Sequence, residues 1–482
     1  MKLVKSLLLG SAAGFAVVAG AQAADLPIRK AEPVAVDYVR VCSAYGSSFF
    51  YIPGTETCLR VGGRVRAEYR YVTPFDRSED SIGFRARGRL NIDARTPTDY
   101  GTLRAYIRYE ITRNTGVYNF PLAGTAANSP DVAQAFVQFG GLTAGRITSF
   151  FTNADIATQH FGTLRFDDAP DLPALAYTFA FGGGFSATVA LEDNISRRNA
   201  GLPLGFLGAA SGLPVGNVFP GFNFPFTQWV PAGDTAPDFV ANIKYVGTWG
   251  NAQLSGAVHQ IRDLGVPPTL TAAGAIVPNT GRLFNDAEYG WAISPSVQIN
   301  LPFFAAGDYF WVVGTYAQGA PNYAGFAGGD NRVGNLSGDT FTATSLVADA
   351  TINAFTGNLE KTDVWSIAAN FTHFWAPTLR SSIFGSYANV QFGSGSSTIL
   401  TTGPFAGLSV GFTDFNEIRI GGNTIWSPVA GLNLGLEVMY TRVDFDNRIP
   451  GFDLGALANA VRPAGTSDVN VWEGRLRVQR DF

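Results

Sequence analysis

Residues 60–71 read RVGGRVRAEYRY and alternate between charged and apolar or small side chains. The odd-numbered positions from Val61 to Tyr71 hold Val, Gly, Ala or Tyr, whereas most even-numbered positions hold Arg or Glu. Successive side chains of a β-strand point to opposite faces, so this period of two predicts a strand with one apolar and one charged face. The run is about twice as long as an ordinary globular strand, and it is long enough for a tilted strand to cross a bilayer.

The same alternation returns along the whole chain. Residues 82–95 and 103–112 again place arginines on one face and mainly apolar or small residues on the other. Thirteen further strands are predicted at residues 131–139, 142–147, 174–181, 185–193, 237–247, 251–261, 287–299, 308–319, 363–376, 378–391, 415–426, 431–443 and 469–482. The total is 16, with 14 or 18 left open because the boundaries rest on the pattern alone.

The predicted connections alternate in length. Short turns are predicted at residues 140–141, 182–184, 247–250, 376–377 and 427–430, and long loops at residues 114–130, 148–173, 194–236, 262–286, 320–362, 392–414 and 444–468. Short periplasmic turns and long extracellular loops are typical of outer-membrane barrels. Two places fit poorly. Pro295 lies inside a predicted strand, where the missing amide calls for a bulge or another boundary, and residues 300–307 are long for a periplasmic turn.

Strands that cross a bilayer must close into a barrel. Backbone polar groups in hydrocarbon have no water to bind, so a sheet cannot keep open edges there. Sixteen strands enclose a lumen too wide for side chains to fill, which predicts an aqueous channel. The predicted fold is therefore all-β, a transmembrane antiparallel β-barrel of about 16 strands. A soluble β-sandwich is disfavoured by the strand length.

The two ends of the chain carry further signals. Residues 1–23 combine Lys2 and Lys5, an apolar run and Ala21-Gln22-Ala23, a pattern that predicts a signal peptide cleaved after Ala23. The last predicted strand alternates up to Phe482, and such a C-terminal aromatic residue resembles the signal read by the outer-membrane assembly machinery. We therefore expect the cell outer membrane as the location, with residues 24–58 as a periplasmic N-terminal segment and residues 59–482 as the barrel.

The only two cysteines, Cys42 and Cys58, lie close together in sequence. In an oxidising compartment such a pair predicts a disulfide. A metal site would need more ligands, and no histidine lies nearby. The bond would close a short loop, stabilise the fold by about 3 kcal/mol and fasten the entry into the first strand.

Composition and motifs argue against several functional classes. A net charge of −4 does not indicate a nucleic-acid-binding protein. The three histidines, His160, His259 and His373, are far apart in sequence, and no metal-binding, phosphate-binding or nucleophile-elbow motif is found. We expect no cofactor, no metal and no catalytic site. An outer-membrane hydrolase, which needs a Ser or Thr nucleophile beside a histidine base, is disfavoured but not excluded by sequence.

Two stretches resemble the alphaproteobacterial porin family. The first comprises VCSAYG at 41–46, FYIPGTETCLR at 50–60 and Gly62-Gly63-Arg64, and the second comprises AFVQFGG at 135–141, Gly145-Arg146 and SFF at 149–151. The expected mature start, ADLP at 24–27, is also similar. The resemblance covers about residues 1–195 and the last strand, whereas the loops at residues 194–236 and 320–362 look idiosyncratic. It implies a homotrimer of 16-stranded barrels in contact with outer-membrane lipids and lipopolysaccharide, through which small hydrophilic solutes and ions diffuse passively.

The resemblance also implies where the pore narrows, because the family's third loop folds into the lumen. By topology this constriction loop is residues 148–173. The predicted constriction residues are Asp155, Asp167, Asp168 and Asp171 on the loop and Arg64, Arg66, Arg70, Arg85, Arg87, Arg89, Arg104, Arg108, Arg475 and Arg477 on the facing wall. Opposed charges would create a transverse field that sets the ion preference, whose sign stays open. The alternative is that the arginines only pair with Glu68, Glu110, Asp93 and Glu473 on adjacent strands.

The remaining alternatives concern the outer surface and the solute. Small residues on the outward face of the first three strands, such as Ala67, Ala86 and Gly88, favour contact with another barrel, although ordinary variation among lipid-facing residues would give the same pattern. Phenylalanines at 150, 151, 161 and 166 could begin a row of aromatic side chains that binds one ligand, as in a substrate-specific channel. A third alternative is a surface adhesin or structural barrel with a filled lumen, which would show no conductance.

Overall fold

The structure is a computed structural model. It describes residues 40–46, 48–74, 80–118, 126–199, 231–263, 287–326, 347–353, 358–399, 407, 409–452 and 461–482. The signal peptide predicted at residues 1–23 lies outside the described residues, as does most of the predicted periplasmic segment. Residues Cys42–Phe482 form one compact unit.

Among the described residues, the two-residue strand Phe50–Tyr51 pairs with the first of sixteen long strands that form the barrel wall. They are β1 Cys58–Val72, β2 Ile82–Thr98, β3 Gly101–Thr115, β4 Ala126–Phe139, β5 Leu142–Thr148, β6 Asp171–Gly182, β7 Phe185–Glu192, β8 Asp238–Gly247, β9 Gly250–Ile261, β10 Glu288–Asn300, β11 Tyr309–Gln318, β12 Asp363–Ala376, β13 Leu379–Gln391, β14 Phe415–Trp426, β15 Leu432–Phe452 and β16 Val461–Asp481. Each strand overlaps one predicted from the alternation. The long loop predicted at 444–468 is wrong in its bounds, because β15 continues to Phe452 and β16 begins at Val461.

The sheet closes on itself. Every strand pairs antiparallel with its neighbour in sequence, and β1 also pairs with β16, so that Arg66 lies opposite Gln479 on one side and Arg87 on the other. The predicted 16-stranded antiparallel barrel is therefore confirmed. Four shorter strands pair outside the barrel wall, namely Ala350–Ile352 with Leu359–Lys361 and Ser397–Ile399 with Ser409–Gly411. None of the helices in the described part of the chain is long and apolar enough to cross a membrane.

The outer face of the barrel is apolar. Large hydrophobic side chains that are 42–68% exposed follow the outward parity of the strands, namely Val61, Val65, Phe84, Leu90, Ile107, Ile111, Val137, Leu175, Val189, Ile243, Leu254, Ile293, Ile367, Ile383, Ile420, Leu436 and Leu476. In water such a continuous apolar belt would be costly, whereas in lipid it is the favourable surface. The belt therefore identifies the membrane-facing side, and the polar side chains between these positions face the lumen.

Pro295 is accommodated without a bulge, contrary to the sequence-based expectation. It lies within β10 opposite Leu254 of β9, and the pairing with β11 is interrupted at residues 294–295 while the register stays the same on both sides. The hydroxyl of Ser294 donates to the carbonyl of Gly314 at 3.0 Å and so supplies a donor next to the missing proline amide. The turn after β10 has the unusual length that the sequence indicates, since β11 begins only at Tyr309. The amide of Leu301 closes this turn by donating to the carbonyl of Asp308 at 2.7 Å.

At the long-loop end of the barrel, part of the lumen is filled by apolar packing. Inward-facing Val364, Val390 and Val443 contact Phe326 and Val347 from the loop between β11 and β12. A second cluster uses small inward residues on β6–β11, mainly alanines, against Phe151 and Tyr323. Inward alanines leave room that larger side chains would occupy, so loop segments can fold inside the barrel on this side.

The N-terminal disulfide is confirmed. Cys42 and Cys58 are bonded, with their Cα atoms 5.9 Å apart, and Cys58 is the first residue of β1. Both are buried with Phe49, whose ring lies 4.8 Å from the guanidinium carbon of Arg95 on β2. The closed loop is thereby fixed to the short-turn end of the first two strands.

Candidate pore constriction

The third loop, residues 149–170, runs from β5 to β6 through the inside of the barrel. Its first part lies against β8 and β9, where the side chain of Asn242 donates to the carbonyl of Phe150 at 2.6 Å and Gln253 donates to the carbonyl of Phe151 at 3.1 Å. Gln298 on β10 then accepts a hydrogen bond from the amide of Ala157 at 2.7 Å. Inward amide side chains thus satisfy the backbone of a loop that has no strand partner of its own.

The loop tip, residues 159–163, docks on β14, β15 and β16. The carboxylate of Glu437 accepts the consecutive amides of Phe161 and Gly162, both at 2.6 Å. The ring of Phe161 lies against Gly435, where a Cβ atom would collide with it, and the guanidinium carbon of Arg477 is 3.8 Å from its centroid. The tip is therefore held by charge-assisted hydrogen bonds and by a notch that only glycine provides.

A buried ion triad fixes the returning part of the loop. Arg165 donates to both carboxylate oxygens of Glu417 on β14, at 2.6 and 2.8 Å, and Arg419 donates to the same carboxylate and to the carbonyl of Thr163. All three charged side chains are at most 1% exposed. Burial, together with the nearby charge of Arg419, lowers the pKa of Arg165 to about 10, which leaves it charged at neutral pH.

Both ends of the third loop meet at Arg197, which follows β7. Arg197 pairs with Asp167 at 2.6 Å and donates to the hydroxyl of Ser149 at 2.6 Å. Its guanidinium carbon also lies 4.2 Å from the centroid of the Tyr323 ring. The ion pair is buried on both sides. Arg197 therefore ties the beginning of the loop to its end.

The predicted wall arginines all lie on the inward faces of β1, β2, β3 and β16, as the strand parity requires. Their environments differ. Arg70 and Arg475 are 1% and 6% exposed and share the carboxylate of Glu473. The other predicted arginines are partly exposed, namely Arg64, Arg66, Arg85, Arg87, Arg89, Arg104, Arg108 and Arg477.

Several of these arginines pair across adjacent strands. Arg85 and Arg477 lie 3.8 and 2.6 Å from Glu68, and Arg87 and Arg89 share Glu110. Inter-strand pairing and exposure to the lumen therefore occur together on this wall.

The four predicted aspartates do not form one acidic surface. Asp155 pairs with Lys244 of β8, and Asp167 is buried against Arg197. Asp168 is exposed. Asp171 is the first residue of β6, accepts hydrogen bonds from Gln134 and Thr148, and lies 3.9 Å from Arg108. Within the described residues, only Asp171 of the four is within ion-pair distance of a predicted wall arginine.

Open space remains on one side of the third loop. A cavity of about 680 Å³ lies between the loop and β1–β9. Its charged and neutral polar lining includes Arg60, Asp93, Arg95, Arg104, Arg108, Lys244, Asp481, Thr178, Ser186, Thr188, Asn242 and Gln253. Hydroxyl, amide and charged groups hydrate well, so the space suits water and hydrophilic solutes.

Sequence reasoning missed the residues that hold the loop. Glu417, Arg419, Glu437 and Arg197 were not predicted, although three of them stand at inward positions of strands. Their inward parity was a usable signal, since a carboxylate inside a barrel needs a partner. Their partners could not be found from sequence because Glu417 and Glu437 bind residues more than 250 positions away.

Comparison with known proteins bears on the same features. The model of a porin subfamily matches residues 25–472. The chain belongs to this porin family. Membership places it in the outer membrane and in a family of channel proteins rather than enzymes.

Porin relatives from Brucella match only part of the chain. Porin Omp2b of Brucella canis is 35% identical over 257 residues, and that of Brucella suis is 36% identical over 261 residues. Each match covers 52% of this chain and 64% of the relative, so it spans less than two thirds of the curated porin. The outer membrane channel DcaP of Acinetobacter baumannii has a similar fold, with a TM-score of 0.57, 14% identity, and coverage of 90% of this chain and 99% of DcaP.

Proposed function

We propose that this porin forms a water-filled channel for the passive diffusion of small hydrophilic solutes and ions across the outer membrane. The observation that carries the proposal is the polar cavity inside a closed barrel with an apolar exterior. An apolar exterior fits lipid, and a lumen wider than its side chains can fill admits water. Family membership supports the same function.

The pore constriction is proposed to lie between the third loop and a wall of ten inward-facing arginines on β1, β2, β3 and β16. This arginine wall consists of Arg64, Arg66, Arg70, Arg85, Arg87, Arg89, Arg104, Arg108, Arg475 and Arg477. Among the described residues, these ten arginines have six carboxylates within ion-pair distance. Asp155 and Asp167 on the loop are engaged by Lys244 and Arg197. The excess of positive charge at the wall favours anions over cations.

Planar-bilayer recordings in asymmetric KCl test both parts of the proposal. Stable conductance steps are expected, with a reversal potential on the anion-selective side. The double variant Arg85→Glu/Arg87→Glu should shift the reversal potential toward cation selectivity because both side chains face the lumen. Arg442→Glu is the matched control, since Arg442 is almost half exposed and shares the outward face of β15 with Leu436. Absence of steps would refute the channel, whereas an unchanged reversal potential would refute only the role of Arg85 and Arg87.

A homotrimer is proposed on the outward face of β1–β3. There the small residues Ala67 and Ala86 lie directly opposite each other, and Gly88 lies opposite Val65. Small side chains allow the backbones of two barrels to approach closely. Cross-linking in mild detergent should give a species of three chains, and recovery of single chains alone would contradict the proposal.

Phe482 is proposed as part of the assembly signal. Its backbone exchanges two hydrogen bonds with Gly63 of β1, and its ring is 64% exposed on the outside of the barrel. The ring is therefore accessible before and after closure of the barrel. Deleting Phe482 should lower the yield of folded protein in the outer membrane, measured by heat-dependent electrophoretic mobility. An unchanged yield would assign the residue to packing alone.

A further inference from the structure

Four arginines in the lumen are arranged as two pairs of like charges. Arg64 on β1 lies directly opposite Arg89 on β2, and Arg66 lies directly opposite Arg87. Like charges at directly opposed positions destabilise a sheet. Two such pairs follow each other along the same two strands, so an unfavourable arrangement is repeated at adjacent positions.

The Nε atoms of the four side chains donate hydrogen bonds to acceptors on the two strands that flank β1 and β2. Arg64 and Arg66 donate from Nε to Asp481 and Gln479 on β16, at 2.5 and 2.9 Å. On the other side, Arg87 and Arg89 donate from Nε to Thr112 and Glu110 on β3, at 3.0 and 2.5 Å. The two β1 side chains are thus drawn toward β16 and the two β2 side chains toward β3, so the four guanidinium groups line a strip of the wall between β16 and β3.

Some hydrogen-bond donors of these arginines have no acceptor. Among the described residues, the terminal amino groups of Arg64 and Arg66 have no hydrogen-bond acceptor, and Arg66 has no carboxylate within ion-pair distance. The side chains of Arg64, Arg87 and Arg89 are 17–26% exposed, so they are accessible but partly desolvated. Asp481, the partner of Arg64, also lines the open cavity, so the cluster borders the cavity at this residue.

The charges define the kind of ligand that fits. Among the described residues, Asp481 and Glu110 are the carboxylates within ion-pair distance of the four guanidinium groups, so four positive charges face two negative charges at that distance. Planar guanidinium forks match the geometry of oxyanions and bind them through two parallel hydrogen bonds. A doubly charged tetrahedral oxyanion would neutralise the excess and use the remaining donors.

We propose that Arg64, Arg66, Arg87 and Arg89 form a saturable binding site for an oxyanion of the phosphate class within the channel. The site rests on the proposed channel function and adds a substrate preference to it. The ligand is either free phosphate or the phosphate group of a small ester, because both present the same oxygens. Anions pass through the channel by binding at this strip and leaving it toward the cavity.

The test measures chloride current through single channels while chloride is kept constant and inorganic phosphate is added at constant ionic strength. We expect the chloride current to fall along a saturating curve. In Arg66→Gln/Arg87→Gln, the half-blocking phosphate concentration should rise about tenfold or more, because each substitution removes a charged hydrogen-bond donor. Glycerol 3-phosphate forms a second arm, and block by inorganic phosphate alone would assign the site to the free ion.

Arg442→Gln is the matched control. It removes one positive charge from β15 at an exposed outward position, and its blocking curve should equal that of the unmodified protein. Heat-dependent mobility on electrophoresis shows whether each variant has folded. A wild-type channel that conducts chloride without block by phosphate would overturn the site and leave the proposed function intact. Equal block in the double variant and the wild type would also overturn it. Absence of any conductance in the wild type would refute the proposed function itself.

Discussion

Replacing Glu417 by Gln should release the third loop from the barrel wall. The Glu417 carboxylate is the shared partner of Arg165 on the loop and Arg419 on β14, and it accepts from Arg165 at 2.6 and 2.8 Å. None of the three side chains is more than 1% exposed. The amide of glutamine keeps the size of the side chain but removes its charge, so two buried guanidinium groups remain without a compensating carboxylate.

The magnitude follows from the burial. Removing one partner of a buried ion pair costs about 3–5 kcal/mol because an uncompensated charge stays behind. Arg165 can avoid its share of this cost if the returning part of the loop leaves the wall and exposes the guanidinium to water. Since about 1.4 kcal/mol is a factor of ten in an equilibrium constant, the detached fraction should rise by roughly a hundredfold or more. The tip would still be held by Glu437, which accepts two loop amides at 2.6 Å.

Hydrogen–deuterium exchange of the folded protein, followed by mass spectrometry, measures this release. The amide of Arg165 donates to the hydroxyl of Ser386 at 3.0 Å in the docked loop, so this amide should exchange slowly in the wild type. In the Glu417→Gln variant it should exchange at a much higher rate, and the single-channel conductance should fluctuate because the loop moves within the lumen.

Asp444→Asn is the control for this experiment. The ion pair of Asp444 with Arg442 lies on β15 with both side chains almost half exposed, and solvent screens such pairs. Its exchange rates in the third loop should match those of the wild type. If the third loop of Glu417→Gln exchanges as slowly as that of the wild type and the channel conducts without added noise, the triad does not hold the loop.

Two further predictions concern the loop tip and the N-terminal segment. Gly435→Leu should lower single-channel conductance, since the new side chain would occupy the position of the Phe161 ring and push the tip toward the arginine wall. Adding Phe161→Ala should restore the conductance. If it does not, Gly435 does not provide the space that the Phe161 ring needs. Cys42→Ser/Cys58→Ser should lower the thermal unfolding temperature, because the disulfide spans 16 positions and a loop of that size contributes about 3 kcal/mol; conductance should persist, and an unchanged unfolding temperature would show that the bond adds no stability.

The number of strands and their two faces could be predicted, although β15 and β16 extend well beyond their predicted ends. Alternation with period two is a local property, so the inward position of Arg66 and the outward position of Val65 follow from the sequence alone. The length of the runs and the cost of unpaired backbone groups in lipid then require closure. Local signals failed at Pro295, where a neighbouring serine hydroxyl made a bulge unnecessary.

The constriction was only partly predictable. Topology gave the loop and strand parity gave the arginines, but neither gave the route of the loop. Asp167 was expected to face the lumen, and the structure places it in a buried pair with Arg197. The sequence positions of the two residues gave no indication of this contact, because it depends on where the loop returns inside the closed barrel.

The sequence by itself determined the barrel, its apolar outside and its arginine-rich inside, because these depend on the period of the chain and on the demands of the bilayer. Only the tertiary structure decided which charges remain open to solutes. Closure brings β16 beside β1 and lets Asp481 and Gln479 orient Arg64 and Arg66 across more than 400 residues. Ion pairing depends on distances of a few ångströms between side chains, and such distances exist only once distant strands and loops have been brought together.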